Sequence, residues 1–71
     1  MKDEEKIANR IRIGSMIAEI RKSKGLSLEQ VAQIARVDLS NLSKIERGRY
    51  NVGIDILGRI ADALGVEIKI E

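Results

Sequence analysis

The sequence contains no cysteine, histidine, proline, phenylalanine or tryptophan, and it has a single tyrosine. Without cysteine the chain forms no disulfide and offers no thiolate to a metal. Without histidine it lacks the commonest general base and the commonest metal ligand. One aromatic side chain cannot supply the series of stacking platforms that single-stranded nucleic acids require. We therefore expect a protein that is not an enzyme and that has neither a cofactor nor a metal.

Long apolar runs are also missing. No run approaches the roughly 20 residues that a membrane span needs. The N-terminal residues, MKDEEK, are charged and are not followed by the apolar segment of a signal peptide. These features, with the absence of cysteine, lead us to expect a cytoplasmic protein that has no membrane partner.

The charge is modest in total but unevenly distributed. The 71 residues are enough for one small domain and carry a formal net charge of +2. Residues 1–20 are neutral overall, residues 21–50 hold seven cations and three anions, and residues 51–71 have a net charge of −2. This asymmetry indicates a polyanionic partner for the middle of the chain. Charge alone fits an ordinary solvated surface equally well.

The first two dozen residues favour one long helix. Ile13, Ile17 and Ile20 recur at helical spacing and form one apolar stripe. Gly14 interrupts this pattern and costs roughly 1 kcal/mol relative to alanine in a helix interior. The alternative is therefore a helix that begins near Ile13, with residues 1–12 as an N-terminal extension or arm.

Two short helices are predicted next, over residues 28–35 and 39–47. Ser27 and Gln30 have the spacing of a capping box at the start of the first, and Asp38 caps the second. The outward face of the second helix is small, polar or cationic, and it consists of Ser40, Ser43, Lys44 and Arg47. A helix with such a face suits the major groove of DNA.

A fourth helix is predicted over residues 54–64, and the tail that follows has a different period. Val66, Ile68 and Ile70 alternate with charged residues, which is typical of a β-strand. The chain contains no second strand, so the partner that we expect is the same strand of a second copy. Residues 66–71 are thus predicted to be a dimerisation strand. The alternatives are a frayed tail and a strand lying on its own domain.

The run from Ile13 to Val66 resembles the Cro and phage-repressor type of helix-turn-helix domain, also called XRE-like. The matching pieces are IGSMIAEIRKSKGLSLEQVA, NLSKIERGR and ILGRIADALGV, in the family's order and spacing. The resemblance implies an all-α, four-to-five-helix lambda-repressor-like domain over residues 13–65, here followed by a short C-terminal β-strand. With the predicted tail pairing, it implies a homodimeric transcription regulator, a repressor, on a palindromic double-stranded DNA operator.

The resemblance also implies which residues bind DNA. The base-reading candidates, carried over by position, are Leu39, Ser40, Asn41, Ser43 and Lys44. The phosphate-binding candidates, which set register rather than read sequence, are Ser27, Leu28, Arg36, Arg47, Arg49 and Asn51. Arg21 and Glu46 correspond to a partly buried ion pair between the first and third helices.

The chain departs from the family pattern at three places. Leu28 stands where a phosphate-binding glutamine is common, and Arg36 stands where the turn usually has glycine, so Arg36 is expected to be strained. The tail, VEIKIE, stands where a fifth helix usually follows. Two other functions stay open: an antitoxin that binds a toxin protein and represses its own operon, and a helix-turn-helix protein-interaction module.

Overall fold

The computed structural model describes residues 1–70, and four helices account for most of them. The helices are α1 (Asp3–Ser23), α2 (Leu28–Ala35), α3 (Leu39–Glu46) and α4 (Ile54–Leu64). α2 packs against both α3 and α4, and α1 packs against α3. The all-α prediction is confirmed, and no fifth helix follows α4 within the described residues. None of these four helices combines the length and apolar character that crossing a bilayer demands.

The core forms where the apolar stripes of the helices meet. Val31 of α2, Leu42 of α3 and Ile60 of α4 are its largest fully buried side chains. Ile17 brings the stripe of α1 into the same cluster. Because each of the four helices contributes one buried stripe, the two short helices are held by tertiary packing, without which helices of eight residues are unstable in water.

All four helices end with the same hydrogen-bond pattern, in which one N–H reaches a carbonyl five residues back and the preceding N–H reaches one three residues back. This is the Schellman motif, which needs a left-handed residue. Glycine supplies it after α1, α3 and α4. At the end of α2 the left-handed residue is Arg36, with φ 57° and ψ 47°. The strain expected at Arg36 is therefore located in the turn between α2 and α3.

α1 is continuous through Gly14, so the alternative of a helix that begins near Ile13 is wrong. Gly14 is buried against the C-terminal end of α3. A Cβ atom at this position would overlap the carbonyl oxygen of Ile45 and would lie 2.8 Å from that of Glu46. Glycine is thus present to let the two helices approach closely, and the packing of α1 against α3 offsets its low helix propensity.

The tail does not form the predicted strand over residues 66–70, and Glu71 lies outside the described residues. The Val66 N–H donates to the Ala61 carbonyl at 3.0 Å, which completes the end of α4. Ile68 and Ile70 are exposed by 52% and 98%. A strand needs a neighbouring backbone to satisfy its donors and acceptors, and residues 1–70 of one chain provide none.

Candidate nucleic-acid interface

Two side-chain caps position the pair of short helices. The Ser27 hydroxyl accepts a hydrogen bond from the Gln30 N–H at 3.0 Å, and the Gln30 side chain accepts one from the Ser27 N–H at 2.8 Å. The Asp38 carboxylate accepts from the Asn41 N–H at 3.0 Å. Both predicted caps are thus confirmed. They fix the residues at which α2 and α3 begin. The burial of Leu42 and Ile45 against the core then decides which side of α3 faces outward.

The outward side of α3 is a polar and cationic stripe. Ser40, Ser43, Lys44 and Arg47 follow the i, i+3, i+4, i+7 spacing that places residues on one helix face. Ser40 and Lys44 are exposed, whereas Ser43 is half-buried. The Arg47 Nε donates to the Ser43 carbonyl at 3.2 Å, so this guanidinium folds back over the end of the helix. No acidic side chain belongs to this stripe.

An open groove of about 420 Å³ lies between the start of α2 and α3. It brings together members of both predicted sets, and its lining is Ser27, Leu28, Glu29, Leu39, Ser40 and Ser43. Leu28 also packs against the core. Of the other base-reading candidates, Asn41 is half-buried and Lys44 is exposed beyond the groove. The sequence did not indicate Glu29 as a residue of this site, because its place beside α3 follows only from the packing.

The phosphate candidates outside the groove fall into two separate groups. Arg49 and Asn51 are exposed in the loop between α3 and α4, and the Arg49 N–H donates to the Lys44 carbonyl at 2.8 Å. Arg36 lies elsewhere, at the turn, where its carbonyl accepts from the Arg59 Nη2 at 2.8 Å. Arg59 of α4 therefore ties α4 to the turn, a contact that no local sequence pattern indicates.

Arg21 and Glu46 form a two-pronged ion pair between α1 and the end of α3. The Arg21 Nε and Nη2 donate to the two carboxylate oxygens at 2.7 and 3.0 Å, and the Nη1 donates to the Leu26 carbonyl at 2.8 Å. The side chains are only 11% and 7% exposed. The hydrogen bonds to Glu46 raise the pKa of Arg21 above its ordinary value although burial opposes this. The guanidinium therefore stays charged and holds α3 against α1.

Comparison with known proteins agrees with this geometry. The sequence model of the helix-turn-helix family matches residues 17–70, which is more than half of the chain. The immunity repressor protein of Bacillus phage phi105 is 39% identical over 57 residues, covering 80% of this chain and 40% of the repressor. The chain thus spans less than half of that relative's length.

Two further relatives are similar over most of their own length. Control protein C.BamHI of Bacillus amyloliquefaciens is 38% identical over 66 residues, covering 89% of this chain and 82% of the control protein. The crystal structure of the restriction-modification controller protein C.AhdI from Aeromonas hydrophila matches with a TM-score of 0.83 at 35% identity, covering 84% and 91% of the two chains. The resemblance found in the sequence is therefore confirmed: the chain belongs to the helix-turn-helix family of the Cro and phage-repressor type.

Proposed function

We propose that this protein is a transcription regulator that binds double-stranded DNA in a sequence-specific manner, as a homodimer on a palindromic operator, and that it acts as a repressor. The stripe on α3 carries the proposal. Ser40 and Lys44 are exposed there, free of acidic neighbours on the same stripe, and the helix behind them is held by the core and by the Arg21–Glu46 pair. Such a helix fits the major groove.

The roles divide between reading and positioning. Serine hydroxyls can donate or accept at base edges, and the ammonium group of Lys44 can donate to the acceptors of guanine. Arg47, Arg49 and Asn51 lie at the end of α3 and in the loop after it, where they suit phosphates. The start of α2 adds backbone N–H groups that favour a phosphate, beside Ser27 and Leu28.

Selection of bound sequences from a random duplex pool tests this function directly. We expect a palindromic consensus whose half-sites are separated by about one DNA turn, roughly 34 Å, as helix-turn-helix dimers require. Duplex binding that does not weaken as salt is added, or the absence of any duplex binding, would contradict the proposal and favour the protein-interaction module.

Substitutions on α3 separate reading from positioning. Ser40→Ala and Lys44→Ala should reduce the difference in binding free energy between the preferred base pair and its competitors by about 1–3 kcal/mol per lost contact. Arg49→Ala should instead weaken binding to all sequences alike. Lys22→Ala, which removes an exposed cation from α1, is the matched control for charge. An unchanged order of preference in the Ser40 and Lys44 variants would show that the reading face is wrongly assigned.

The dimer is proposed to form through the tail. Ile68 and Ile70 of the tail are exposed by 52% and 98%, an apolar exposure that a second copy could cover. Pairing of two tails as antiparallel strands would satisfy the backbone groups that the single chain leaves unpaired. The tail therefore supplies both an apolar contact and a reason for two-fold symmetry.

A double variant, Ile68→Ser with Ile70→Ser, tests the tail and leaves the half-buried Val66 in place. We expect it to sediment as a monomer and to bind the operator far more weakly than the unmodified protein. Sedimentation as a dimer with normal binding would instead place the interface on another surface. Repressor activity is proposed because the phage relative bears that name. A reporter gene placed behind the selected operator shows whether the protein lowers or raises transcription.

A further inference from the structure

A second open cleft, of about 350 Å³, lies between the first turns of α1 and the loop that joins α3 to α4. We call it the α1 cleft. Its polar lining comes from Lys6, Asn9 and Arg10 of α1 and from Tyr50 and Asn51 of the loop. These two segments are distant in sequence and meet because Gly14 lets α1 pack closely on α3. The α1 cleft is separate from the groove between α2 and α3.

The polar side of the α1 cleft has the chemistry of an anion site. Lys6 and Arg10 are one helical turn apart, about 6 Å along the axis. Within residues 1–70 neither side chain forms an ion pair or a hydrogen bond, and no aspartate or glutamate lines the cleft. Tyr50 and Asn51 add a hydroxyl and an amide that can donate. The polar groups that line this space are therefore two cations without an ion-pair partner and the neutral side chains of three further residues, and they lie beside the apolar residues Met1, Ile13, Ile45 and Val52.

The position of the cleft points to the backbone of the bound duplex. Asn51 lines the α1 cleft and belongs to the loop that carries Arg49, where we have proposed phosphate contacts. Lys6 and Arg10 precede residue 17, at which the match to the helix-turn-helix family begins. They would therefore contribute contacts from a part of α1 outside the matched region.

We propose that the α1 cleft binds a backbone phosphate of the DNA duplex, so that Lys6 and Arg10 extend the footprint beyond the helix-turn-helix unit. This inference rests on the proposed DNA-binding function. Phosphate contacts carry no base information. The cleft thus adds affinity and salt dependence, and it leaves the sequence preference unchanged.

The test compares Lys6→Gln and Arg10→Gln with Arg12→Gln by fluorescence anisotropy on the selected duplex, between 50 and 200 mM salt. Arg12 is exposed on the same helix two positions beyond Arg10, and it does not itself line the cleft. Its Nη2 donates to the Oδ1 of Asn9 at 3.2 Å, but Asn9 is neutral, so Arg12→Gln removes a cation of α1 without removing one from the cleft. In each cleft variant the plot of log affinity against log salt should be less steep by about 0.9. The affinity lost over that fourfold salt range should then shrink by about 3.5-fold. Arg12→Gln should retain the slope of the unmodified protein.

One control variant and two contrary results make the outcomes distinct. Arg10→Lys keeps the charge and should restore the slope, which a mere folding defect would not allow. Equal slopes for Lys6→Gln, Arg10→Gln and Arg12→Gln, with normal binding by the unmodified protein, would overturn the inference and leave the proposed function intact. Absence of salt-dependent duplex binding by the unmodified protein would overturn the proposed function itself.

A free anion is the other source of the same chemistry. Inorganic phosphate titrated into the protein without DNA, followed by the amide resonances of Tyr50 and Asn51, separates the two. We expect weak, unsaturated shifts. Saturation at a phosphate concentration on the order of 1 mM or below would assign the cleft to a free phosphate-bearing ligand and overturn its assignment to the DNA backbone.

Discussion

Gly14→Ala is a substitution for which helix propensity and packing predict opposite changes in the free energy of unfolding. Alanine in place of glycine stabilises an exposed helix interior by about 1 kcal/mol. Gly14, however, is buried where α1 crosses the end of α3, and its added methyl group would meet the carbonyl oxygens of Ile45 and Glu46. We expect the packing term to dominate and the variant to be less stable than the unmodified protein.

The magnitude follows from the obstacle. A Cβ atom at Gly14 would lie 2.8 Å from the Glu46 oxygen and closer still to that of Ile45, against a preferred separation of about 3.5 Å. Backbone carbonyls cannot rotate away, so α3 must shift, which strains the 2.7 Å bond between Arg21 and Glu46. Overpacking typically costs about 1–3 kcal/mol, and we place this case at the upper end. Subtracting the propensity gain leaves a net loss of about 2 kcal/mol.

Urea and thermal denaturation, followed by circular dichroism, measure this loss. For a domain of this size about 2 kcal/mol corresponds to a melting temperature lower by roughly 8–16 °C. The matched control is Gly58→Ala in α4, where an added Cβ meets no atom within 4 Å and the variant should gain up to about 1 kcal/mol. If Gly14→Ala were as stable as Gly58→Ala, the close approach of α1 and α3 would not explain the glycine.

Three further substitutions probe other contacts. Glu46→Ala leaves Arg21 as an unpaired buried cation and should cost about 3–5 kcal/mol; a change below about 0.5 kcal/mol in urea denaturation, as at an ordinary surface site, would refute a structural role. Arg36→Gly removes the left-handed strain and should stabilise by about 0.5–1 kcal/mol, and an unchanged or lower urea midpoint would contradict this. Glu29→Gln removes the one carboxylate from the groove beside α3 and should raise duplex affinity by roughly threefold, within the usual range for a surface charge. An affinity unchanged in fluorescence anisotropy would indicate that the groove does not face DNA.

Local features of the sequence determined most of the secondary structure. The bounds of α2 and α4 agree with the structure, and Ser27 and Asp38 cap as predicted. These features could be predicted because a cap or a helix end depends on hydrogen bonds within about six residues, and a buried face depends on a 3.6-residue period. The outward stripe on α3 follows from the same period. The Arg21–Glu46 pair was inferred from the family resemblance, since no local pattern indicates it.

Tertiary structure decided the features that join distant segments. From the sequence, Gly14 favours a break in the first helix. Only the packing of α3 against α1 explains the glycine, because a close approach between helices leaves no periodic signal. The tail has the alternation of a strand, but pairing needs a second backbone that residues 1–70 of one chain do not contain. The roles proposed for Glu29 and for the cations of the α1 cleft depend on the residues that lie opposite them in space. The sequence by itself determined local order and the outward polar stripe of α3, whereas packing decided which residues of the other helices lie beside that stripe.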